Sequence, residues 1–472
     1  MTPTVTGPRV AVVGGGLAGI TAALGLADEG YDVTLLESRG RLGGLTHSFR
    51  RGDLWVDNGQ HVFLRCCTSY LRLLARLGVS DDVEIQPRLD VTVLSEEHGG
   101  TGRLRRDRLP APLHLGRSLL SYRWLPPAAR LRAAAAALAL TRVDRHDPAT
   151  DEESFGAWLE GHGQGRAAVD ALWDLIGIAT LNARASEASL ALAATVFQIG
   201  LLRQRSAGDI GWSRVPLQQL HGDAAQAALL DAGAKVRVGA RVTELTASDQ
   251  GWVVTTGEGP ATYEDVVVAT PPAAAEALLP DGAVPSAAGW AAELGSSPIV
   301  NVHLVLDRPV MDRPFVGAVD SPLQWVFDRT RQSGLDRHGR RGQYLALSLS
   351  AADDLIARPV ADLREWVLPH LHRLLPESAR AEVEELFVTR EPHATFRPTP
   401  GSARLRPRAT TPLPGLHLAG AWTDTGWPAT MEGAVRSGEA AIASVIAPEI
   451  GQRATGVAPA VTSGLPRMEV AS

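Results

Sequence analysis

Cysteine, lysine and long apolar runs are scarce in this sequence, and each scarcity excludes a class of protein. Cys66 and Cys67 are the only cysteines and are adjacent, so there is no disulfide framework and no cysteine-rich zinc site, which fits a reducing compartment. Lys235 is the only lysine, so arginine carries nearly all of the positive charge. The longest nearly apolar run, residues 190–202, contains Gln198 and is too short to span a bilayer.

The sequence also lacks a strong excess of charge and a targeting signal. A net charge of −6 over 472 residues gives no reason to expect nucleic acid as a partner. No charged and apolar leader pattern precedes the first predicted strand. No group of Cys, His and acidic residues has metal-ligand spacing, so no metal site is predicted. We therefore expect a cytoplasmic protein that is either soluble or peripheral on the inner face of the cytoplasmic membrane.

Residues 9–45 predict a dinucleotide site. Their order is an apolar strand, a helix rich in small residues and a second buried strand, which is the β-α-β unit of a parallel sheet. Gly14, Gly16 and Gly19 supply G-x-G-x-x-G at the turn from strand to helix. They allow a tight turn, the approach of a pyrophosphate and close packing of helix on strand. Glu37 ends the second strand, where its carboxylate can accept hydrogen bonds from a ribose.

The residues after Glu37 indicate which dinucleotide is bound. Arg41, Gly43 and Gly44 resemble the second glycine pair of flavoproteins in the amine oxidase and phytoene desaturase superfamily, where it lines the FAD pyrophosphate. That superfamily usually has Arg at the position of Leu45, so one phosphate contact differs here. The alternative is a glycine-rich surface turn with a solvated arginine. We predict FAD as the cofactor.

Two further segments resemble a narrower family. Residues 57–61 are Asp-Asn-Gly-Gln-His, and residues 415–438 are GLHLAGAWTDTGWPATMEGAVRSG. Both strongly resemble the hydroxysqualene dehydroxylases, also described as squalene-associated FAD-dependent desaturases, and the resemblance spans about residues 9–447. The alternative for His61 is an ordinary hydrogen-bonded histidine of the core.

This resemblance implies an α/β fold in which a Rossmann-like FAD-binding domain, of the glutathione-reductase and amine-oxidase type, receives an inserted α+β substrate domain. The FAD-binding domain is assembled from three parts of the chain and the substrate domain from two. The predicted ranges are 1–80, 215–275 and 386–450 for the FAD-binding domain, 81–214 and 276–385 for the substrate domain, and 451–472 for a disordered tail.

The resemblance also implies more of the cofactor site. The additional residues are Val242, whose backbone would face the adenine, Gly420, Ala421 and Met431. The superfamily commonly has Asp at the position of Ala421, where it binds the flavin side chain. That contact is therefore lost or is replaced through Asp424. His61 and Asp424 are the polar groups that we predict near the flavin, as acid or orienting group.

The implied reaction is the reductive removal of the hydroxyl group of hydroxysqualene, which gives squalene for hopanoid or related triterpene synthesis. Such a reaction needs a proton for the departing oxygen, a hydride from reduced flavin and a dry apolar pocket. The same fold could instead serve a carotenoid desaturase or an amine oxidase. The five tyrosines of the whole chain give little support to the aromatic cage of an amine oxidase. A third possibility is a non-catalytic flavoprotein that presents polyprenyl lipids to partner enzymes.

Residues 109–140 are the candidate contact with a membrane. They combine leucines and aromatic residues with four arginines and contain no acid, which suits an anionic membrane surface. These arginines are Arg117, Arg123, Arg130 and Arg132. The alternative is an ordinary helical cap of the substrate domain. The predicted helices within residues 167–202 are apolar enough to form either a helical core or a lipid pocket, and the sequence does not separate the two.

Overall fold

A computed structural model describes residues 7–286, 288–338 and 341–455, with side chains of the last helix described to residue 447. Within these ranges the strands are β1 (Arg9–Val13), β2 (Asp32–Glu37), β3 (Ser48–Arg51), β4 (Leu54–Asp57), β5 (Val62–Leu64), β6 (Val83–Ile85), β7 (Asp90–Ser95), β8 (Thr101–Arg105), β9 (Ile210–Ser213), β10 (Lys235–Val238), β11 (Val242–Ser248), β12 (Gly251–Thr256), β13 (Gly259–Tyr263), β14 (Asp265–Val268), β15 (Ser296–Leu306), β16 (Phe315–Val319), β17 (Trp325–Asp328), β18 (Gln343–Ser350), β19 (Val383–Phe396) and β20 (Leu416–Leu418).

The helices are interleaved with these strands, and several of them are short. They are α1 (Leu17–Asp28), α2 (Thr68–Arg76), α3 (Gly116–Leu120), α4 (Pro127–Leu140), α5 (Pro148–Glu152), α6 (Phe155–Gly161), α7 (Arg166–Ala168), α8 (Asp174–Leu181), α9 (Leu190–Phe197), α10 (Ala224–Asp231), α11 (Pro272–Leu278), α12 (Trp290–Leu294), α13 (Thr330–Ser333), α14 (Val360–Leu374) and α15 (Met431–Thr455). Three segments of π-helix join this series, at Val169–Trp173, Gln198–Leu202 and Gln218–Asp223.

A five-stranded parallel sheet forms one half of the molecule. Its strand order is β10-β2-β1-β14-β20, so it collects segments from both ends and the middle of the chain. The residues of β1 from Val10 to Val13 are all buried, as expected for a strand with helices on both faces. Helix α1 packs against α15 closely enough that a Cβ added at Gly25 would lie 2.2 Å from the side chain of Ile442. The antiparallel sheet β11-β12-β13 is a separate layer.

A seven-stranded sheet forms the other half, in the order β19-β15-β18-β17-β16-β7-β8. One face packs on α14, where alternate residues of β15 and β18 meet a helical stripe that includes Leu363, Val367 and Leu371. The opposite face is covered at one end by the hairpin of β3 and β4, whose Leu54 and Val56 contact this sheet. At another point α8 covers the same face, since a Cβ at Gly317 would lie 3.1 Å from Leu175.

The predicted α/β fold class is confirmed by this combination of a parallel nucleotide-type sheet and a second sheet with its own helices. One predicted boundary needs correction, because residue 386 falls inside β19, which pairs along its length with β15. Strand β19 is 14 residues long, and its composition alone does not show to which domain it belongs. Of the predicted tail, residues 451–455 continue α15, and residues 456–472 lie outside the described part of the chain.

No helix among the described residues is long and apolar enough to cross a bilayer.

The last helix is fastened to the start of α2 by a fully buried carboxylate. Glu432 accepts hydrogen bonds from the backbone amides of Tyr70 at 2.8 Å and Ser69 at 3.3 Å, in the first turn of α2. It also accepts one from Arg436 Nε at 2.7 Å. The carboxylate therefore satisfies amides that α2 cannot satisfy itself and lies at the favourable end of its dipole.

Replacing Glu432 with Ala should lower the free energy of unfolding by about 3 kcal/mol, because buried amides and a guanidinium lose a charged acceptor. The matched control is Glu439→Ala, which removes a carboxylate from the same pair of helices. Glu439 bonds Arg72 and Ser69 at the surface, so its loss should lower the unfolding free energy by less than about 1 kcal/mol. Equal thermal midpoints for the two variants would contradict this account of α2.

Candidate active site

The glycine-rich turn between β1 and α1 has the geometry of a phosphate-binding turn. Gly14 has φ +113°, and a Cβ at Gly19 would lie 1.9 Å from the carbonyl oxygen of Gly14, so both positions require glycine. Gly16 precedes α1 and no side chain caps that helix, which leaves its first amides available to a ligand. A Cβ at Gly16 would meet no protein atom closer than Gly44 Cα, at 3.9 Å. The first amides of α1 therefore face open space, where a pyrophosphate can bind.

Glu37 has a second role beside the one predicted from its position. Its carboxylate is buried and accepts hydrogen bonds from the amides of Gly15 at 2.7 Å and Arg39 at 2.6 Å, so it shapes the glycine turn directly. The backbone of Glu37 also accepts from the amide of Ala240 at 2.8 Å. That contact brings the chain leading into Val242, which is buried at the start of β11, next to the acid. The predicted ribose and adenine residues therefore belong to one neighbourhood.

The second glycine pair lies against the first. The amide of Gly43 donates to the carbonyl of Gly15 at 2.8 Å, and Gly43 and Gly44 have φ of +103° and +56°. Arg41 donates to the carbonyl of Gly44 at 3.3 Å, and burial lowers its pKa from the ordinary arginine value. A half-buried guanidinium beside the glycine turn can neutralise phosphate charge. Leu45, at the position of the usual Arg, is 41% exposed.

The C-terminal segment is held in place by a buried arginine. Arg406 donates hydrogen bonds to the backbone carbonyls of Trp422, Thr423 and Trp427 at 3.3, 2.7 and 2.7 Å. Its guanidinium lies 4.6 Å from the ring of Phe396, and burial lowers its pKa to about 10. The loop between β20 and α15 is thus fixed through its carbonyls.

The predicted cofactor residues of this segment lie at its two ends. Gly420 follows β20 with φ +141°, and its amide donates to Ser437 Oγ at 2.8 Å. Ala421 is half-buried, and buried Met431 begins α15. Asp424, between them, is exposed, and among the described residues its carboxylate accepts only from the amide of Gly426 at 3.3 Å.

The Asp57–His61 loop leaves β4 at a buried ion pair. The Asp57 carboxylate bonds Arg329, and both side chains are more than nine-tenths buried. Asp57 also accepts from Ser48 Oγ at 2.6 Å and from the amide of Leu217 at 3.1 Å. The charge of Asp57 is therefore balanced by Arg329 and by these hydrogen bonds. They also hold the first residue of the loop in place.

A chain of hydrogen bonds from the seven-stranded sheet holds the next residue of this loop. Thr389 Oγ1 donates to the carbonyl of Asn58 at 3.1 Å and contacts His303 Nε2 at 3.0 Å, while Tyr344 contacts His303 Nδ1 at 2.8 Å. The hydroxyl of Thr389 already donates, so Nε2 of His303 must donate to it and Nδ1 must accept from Tyr344. A neutral imidazole satisfies this pattern, and burial lowers the pKa of His303 to about 3.

His61 is surrounded by protein and yet retains some solvent access, which places its ring at the wall of an internal cleft. Burial lowers the pKa of His61 to about 4, against a smaller opposing effect of the Asp57 carboxylate. Its imidazole is consequently neutral at pH 7. No hydrogen bond or ion pair joins His61 to Asp424 within the described residues.

A closed series of contacts, here called the circuit, surrounds the cleft beside His61. Val62, next to His61, pairs with Trp212 across β5 and β9, and the ring of Trp212 meets that of Phe315 edge-on at 5.6 Å. Phe315 contacts Trp325 at 6.1 Å. Trp325 pairs with Ser348, and Ser348 pairs with Asn301. Asn301 Nδ2 returns to the carbonyl of Asn58 at 3.4 Å.

Several members of this circuit keep partial exposure. Trp325 and Ser348 are half-buried in the seven-stranded sheet, while Val62, 37% exposed, and half-buried Trp212 belong to the separate sheet of β5, β9 and β6. We interpret this partial exposure where the two sheets meet as a cleft beside His61. Its walls are aromatic and aliphatic except near His61, Asn301 and Ser348, and the circuit contains no carboxylate.

Several residues of this site carried no usable signal in the sequence. Arg329 is one of many arginines, and Asn301, His303 and Thr389 lie in strands whose alternation indicates only which residues share a face. For Arg329, Asn301 and Thr389, the partners at residues 57 and 58 are more than 240 positions away. An alternating strand with polar residues on its inward face was the only available indication.

Comparisons with known proteins agree with this geometry. The sequence profile described as "Flavin containing amine oxidoreductase" matches residues 17–446, and the chain belongs to this family. It is an FAD-dependent oxidoreductase. A zeta-carotene desaturase of Arabidopsis thaliana is 27% identical over 484 residues, which cover 92% of this chain and 84% of the relative. The 15-cis-phytoene desaturase of the same plant is 24% identical over 476 residues, covering 93% and 80%.

A solved structure of similar fold is the cyclohexylamine oxidase of Brevibacterium oxydans, with a TM-score of 0.69. It is 19% identical and covers 94% of this chain and 100% of its own. At that identity the likeness shows the fold alone.

Gly16→Val should abolish FAD binding while leaving the protein folded, because the added side chain fills the space open to the pyrophosphate and meets little protein. Gly40→Val is the matched control, since Gly40 is exposed with no atom within 4 Å of an added Cβ. The measurement is flavin released by acid per mole of purified protein, alongside the thermal midpoint of each apoprotein. Retention of FAD by Gly16→Val would disprove this assignment of the turn.

Proposed function

We propose, from its membership of the flavin-containing amine oxidoreductases, that this protein reductively removes the hydroxyl group of hydroxysqualene to give squalene, for hopanoid or related triterpene synthesis. The observation that carries the proposal is the cleft beside His61, with aromatic and aliphatic walls and one polar end. A long isoprenoid with a single hydroxyl group has the same distribution of polarity. The resemblance of residues 57–61 and 415–438 to the hydroxysqualene dehydroxylases supports the same substrate.

A neutral isoprenoid suits the cleft better than an amine does. An amine is cationic at pH 7 and needs a counter-charge when it leaves water. The carboxylate that acts on His61, that of Asp57, is already paired with Arg329. The relatives with the names zeta-carotene desaturase and phytoene desaturase act on carotenes, which are also long isoprenoids. These relatives therefore support a long isoprenoid as the substrate class that we propose.

The protein itself makes three contributions to this chemistry: it holds the cofactor, excludes water and orients the substrate oxygen. The carbon–oxygen bond breaks, the departing oxygen takes up a proton and leaves as water, and the allylic carbon takes up a hydride. FAD, when bound and fully reduced, would supply both hydrogens, the hydride to carbon and the proton to oxygen, and would itself be oxidised. The glycine turn and the second glycine pair hold the cofactor, and the apolar walls exclude water that would otherwise capture the carbon. His61 is neutral at pH 7, so we assign it an orienting hydrogen bond to the substrate oxygen.

Oxidative desaturation of a carotene is the second candidate, and the curated relatives favour it. It uses the same fold and cofactor in the opposite direction, with a hydride passing from the hydrocarbon to oxidised FAD. A hydrocarbon substrate would leave the polar end of the cleft without a partner. We therefore rank it second.

Reduced enzyme under anaerobic conditions should be reoxidised by hydroxysqualene and yield squalene in proportion to flavin, and oxidised enzyme should not desaturate phytoene. The measurement is flavin absorbance with extraction of the lipid product. His61→Asn keeps a neutral hydrogen-bonding side chain and should slow reoxidation less than His61→Leu. If phytoene reduces the flavin and hydroxysqualene fails to reoxidise it, the protein is a desaturase.

A substrate of this kind must be collected from a membrane, and residues 109–140 are our proposed contact. Transfer of a C30 chain through water is opposed by about 0.8 kcal/mol per CH₂. The segment holds five of the large apolar side chains that the structure exposes, at 46–63% of their surface. They are Leu109, Leu113, Leu120, Leu131 and Leu138. Exposed leucines among acid-free arginines suit an anionic bilayer surface.

Replacing Arg117, Arg123 and Arg132 with Gln should weaken pelleting with anionic liposomes, since each juxtamembrane arginine contributes about 1 kcal/mol. FAD content should not change. Arg130 is kept, because it donates to the carbonyls of Leu120 at 2.9 Å and Leu125 at 2.7 Å and so supports the fold.

Two control variants distinguish a membrane contact from general charge and hydrophobicity. Leu131→Gln should also weaken pelleting, whereas Leu230→Gln, with 55% exposure on α10, should not. A triple variant of exposed arginines elsewhere should bind liposomes like wild type; the residues are Arg331, Arg364 and Arg380. Undiminished pelleting of the Arg117, Arg123 and Arg132 variant would make this segment a domain cap.

A further inference from the structure

The polar end of the cleft contains two neighbouring groups with unused hydrogen-bonding capacity. Asn301 is 1% exposed, and its Oδ1 has no hydrogen-bond partner in the described part of the chain. Ser348 is half-buried, and its hydroxyl makes no hydrogen bond to the described chain. The two residues are a cross-strand pair of β15 and β18, so their side chains lie on the same sheet face with Cβ atoms about 5 Å apart.

The structural contacts of Asn301 do not explain this arrangement. Its Nδ2 reaches the carbonyl of Asn58 at 3.4 Å, a long hydrogen bond, while Thr389 donates to the same carbonyl at 3.1 Å. The loop would therefore be held without the amide of Asn301. A buried acceptor with no partner costs free energy, and native proteins keep such groups chiefly where a ligand or water completes them.

We propose that Asn301 Oδ1 and Ser348 Oγ form a subsite that binds the hydroxyl group of an isoprenoid alcohol. A hydroxyl group can donate to Asn301 Oδ1 and accept from Ser348 Oγ, so one oxygen satisfies both residues. Trp325 pairs with Ser348 and extends the same face, which gives the hydrocarbon next to that oxygen an aromatic wall.

This subsite rests on the proposed function for its substrate class, and it adds the basis of selectivity. A site that hydrogen-bonds an alcohol rejects the matching hydrocarbon, because its own polar groups would then remain unpaired. The aromatic walls alone would bind both. The subsite therefore separates an alcohol from a carotene in the same cleft.

The test measures binding and needs no turnover, so it is independent of the direction of catalysis. Oxidised holoenzyme is titrated with farnesol and with farnesene, the matching hydrocarbon, and the change in flavin absorbance gives two affinities. Wild type should bind farnesol more tightly. Ser348→Ala and Asn301→Leu should each weaken farnesol binding about tenfold and leave farnesene binding unchanged or stronger.

Thr389→Val is the matched control, because it removes the shorter hydrogen bond to the carbonyl of Asn58 and leaves both subsite groups intact. It should retain the preference for the alcohol. Equal binding of the two probes by wild type would overturn the subsite, as would an unchanged preference in Ser348→Ala or an equal loss of preference in Thr389→Val. Ser348→Ala removes only one hydroxyl group, so the test remains decisive if Asn301→Leu fails to fold.

Failure of the subsite and failure of the proposed reaction give different results. A preference for farnesol that Ser348→Ala abolishes, in an enzyme that hydroxysqualene does not reoxidise, supports the subsite and refutes the reaction. Reoxidation by hydroxysqualene without any preference for farnesol supports the reaction and refutes the subsite.

Discussion

The buried ion pair of Asp57 and Arg329 is the contact on which the arrangement of the two halves depends. Two charges removed from water are unfavourable unless they meet each other and hydrogen-bonding partners. Asp57 has both, since Ser48 and the amide of Leu217 bond its other oxygen. Asp57 thereby holds Ser48, Leu217 and Arg329, from three distant parts of the chain, next to one another. The loop that carries His61 begins there.

Next to this ion pair, hydrogen bonds attach the seven-stranded sheet to the half of the molecule that contains the parallel sheet. Thr389, His303 and Tyr344 extend the attachment from Asn58 into the sheet, and burial lowers the pKa of His303 to about 3, so no charge is introduced. A fully satisfied buried network of this kind makes the local structure rigid. The cleft lies directly beside this network, so its polar end is as fixed as the loop.

The sequence alone predicted the features that are local along the chain. Gly14, Gly16 and Gly19 act within one turn, and Glu37 acts on Gly15 through a neighbouring strand of the same β-α-β unit. Residues that act across the fold could not be predicted in this way, because neither Arg329 nor Asn301 differs in its local pattern from other residues of its type. The boundary at residue 386 failed for a related reason. The composition of strand β19 does not assign it to either domain, and its pairing with β15 places it in the seven-stranded sheet.

The edge position of β20 in the parallel sheet has a consequence for biosynthesis. Residues 416–418 pair with β14, and α15 packs on α1, so segments far apart in the sequence complete one layer. During translation the first four hundred residues emerge with an open strand edge at β14 and with one face of α1 uncovered. An open edge and an uncovered apolar face are the features that favour aggregation of nascent chains. The cofactor site is therefore incomplete until β20 and α15 have been synthesised, and FAD binding requires both elements.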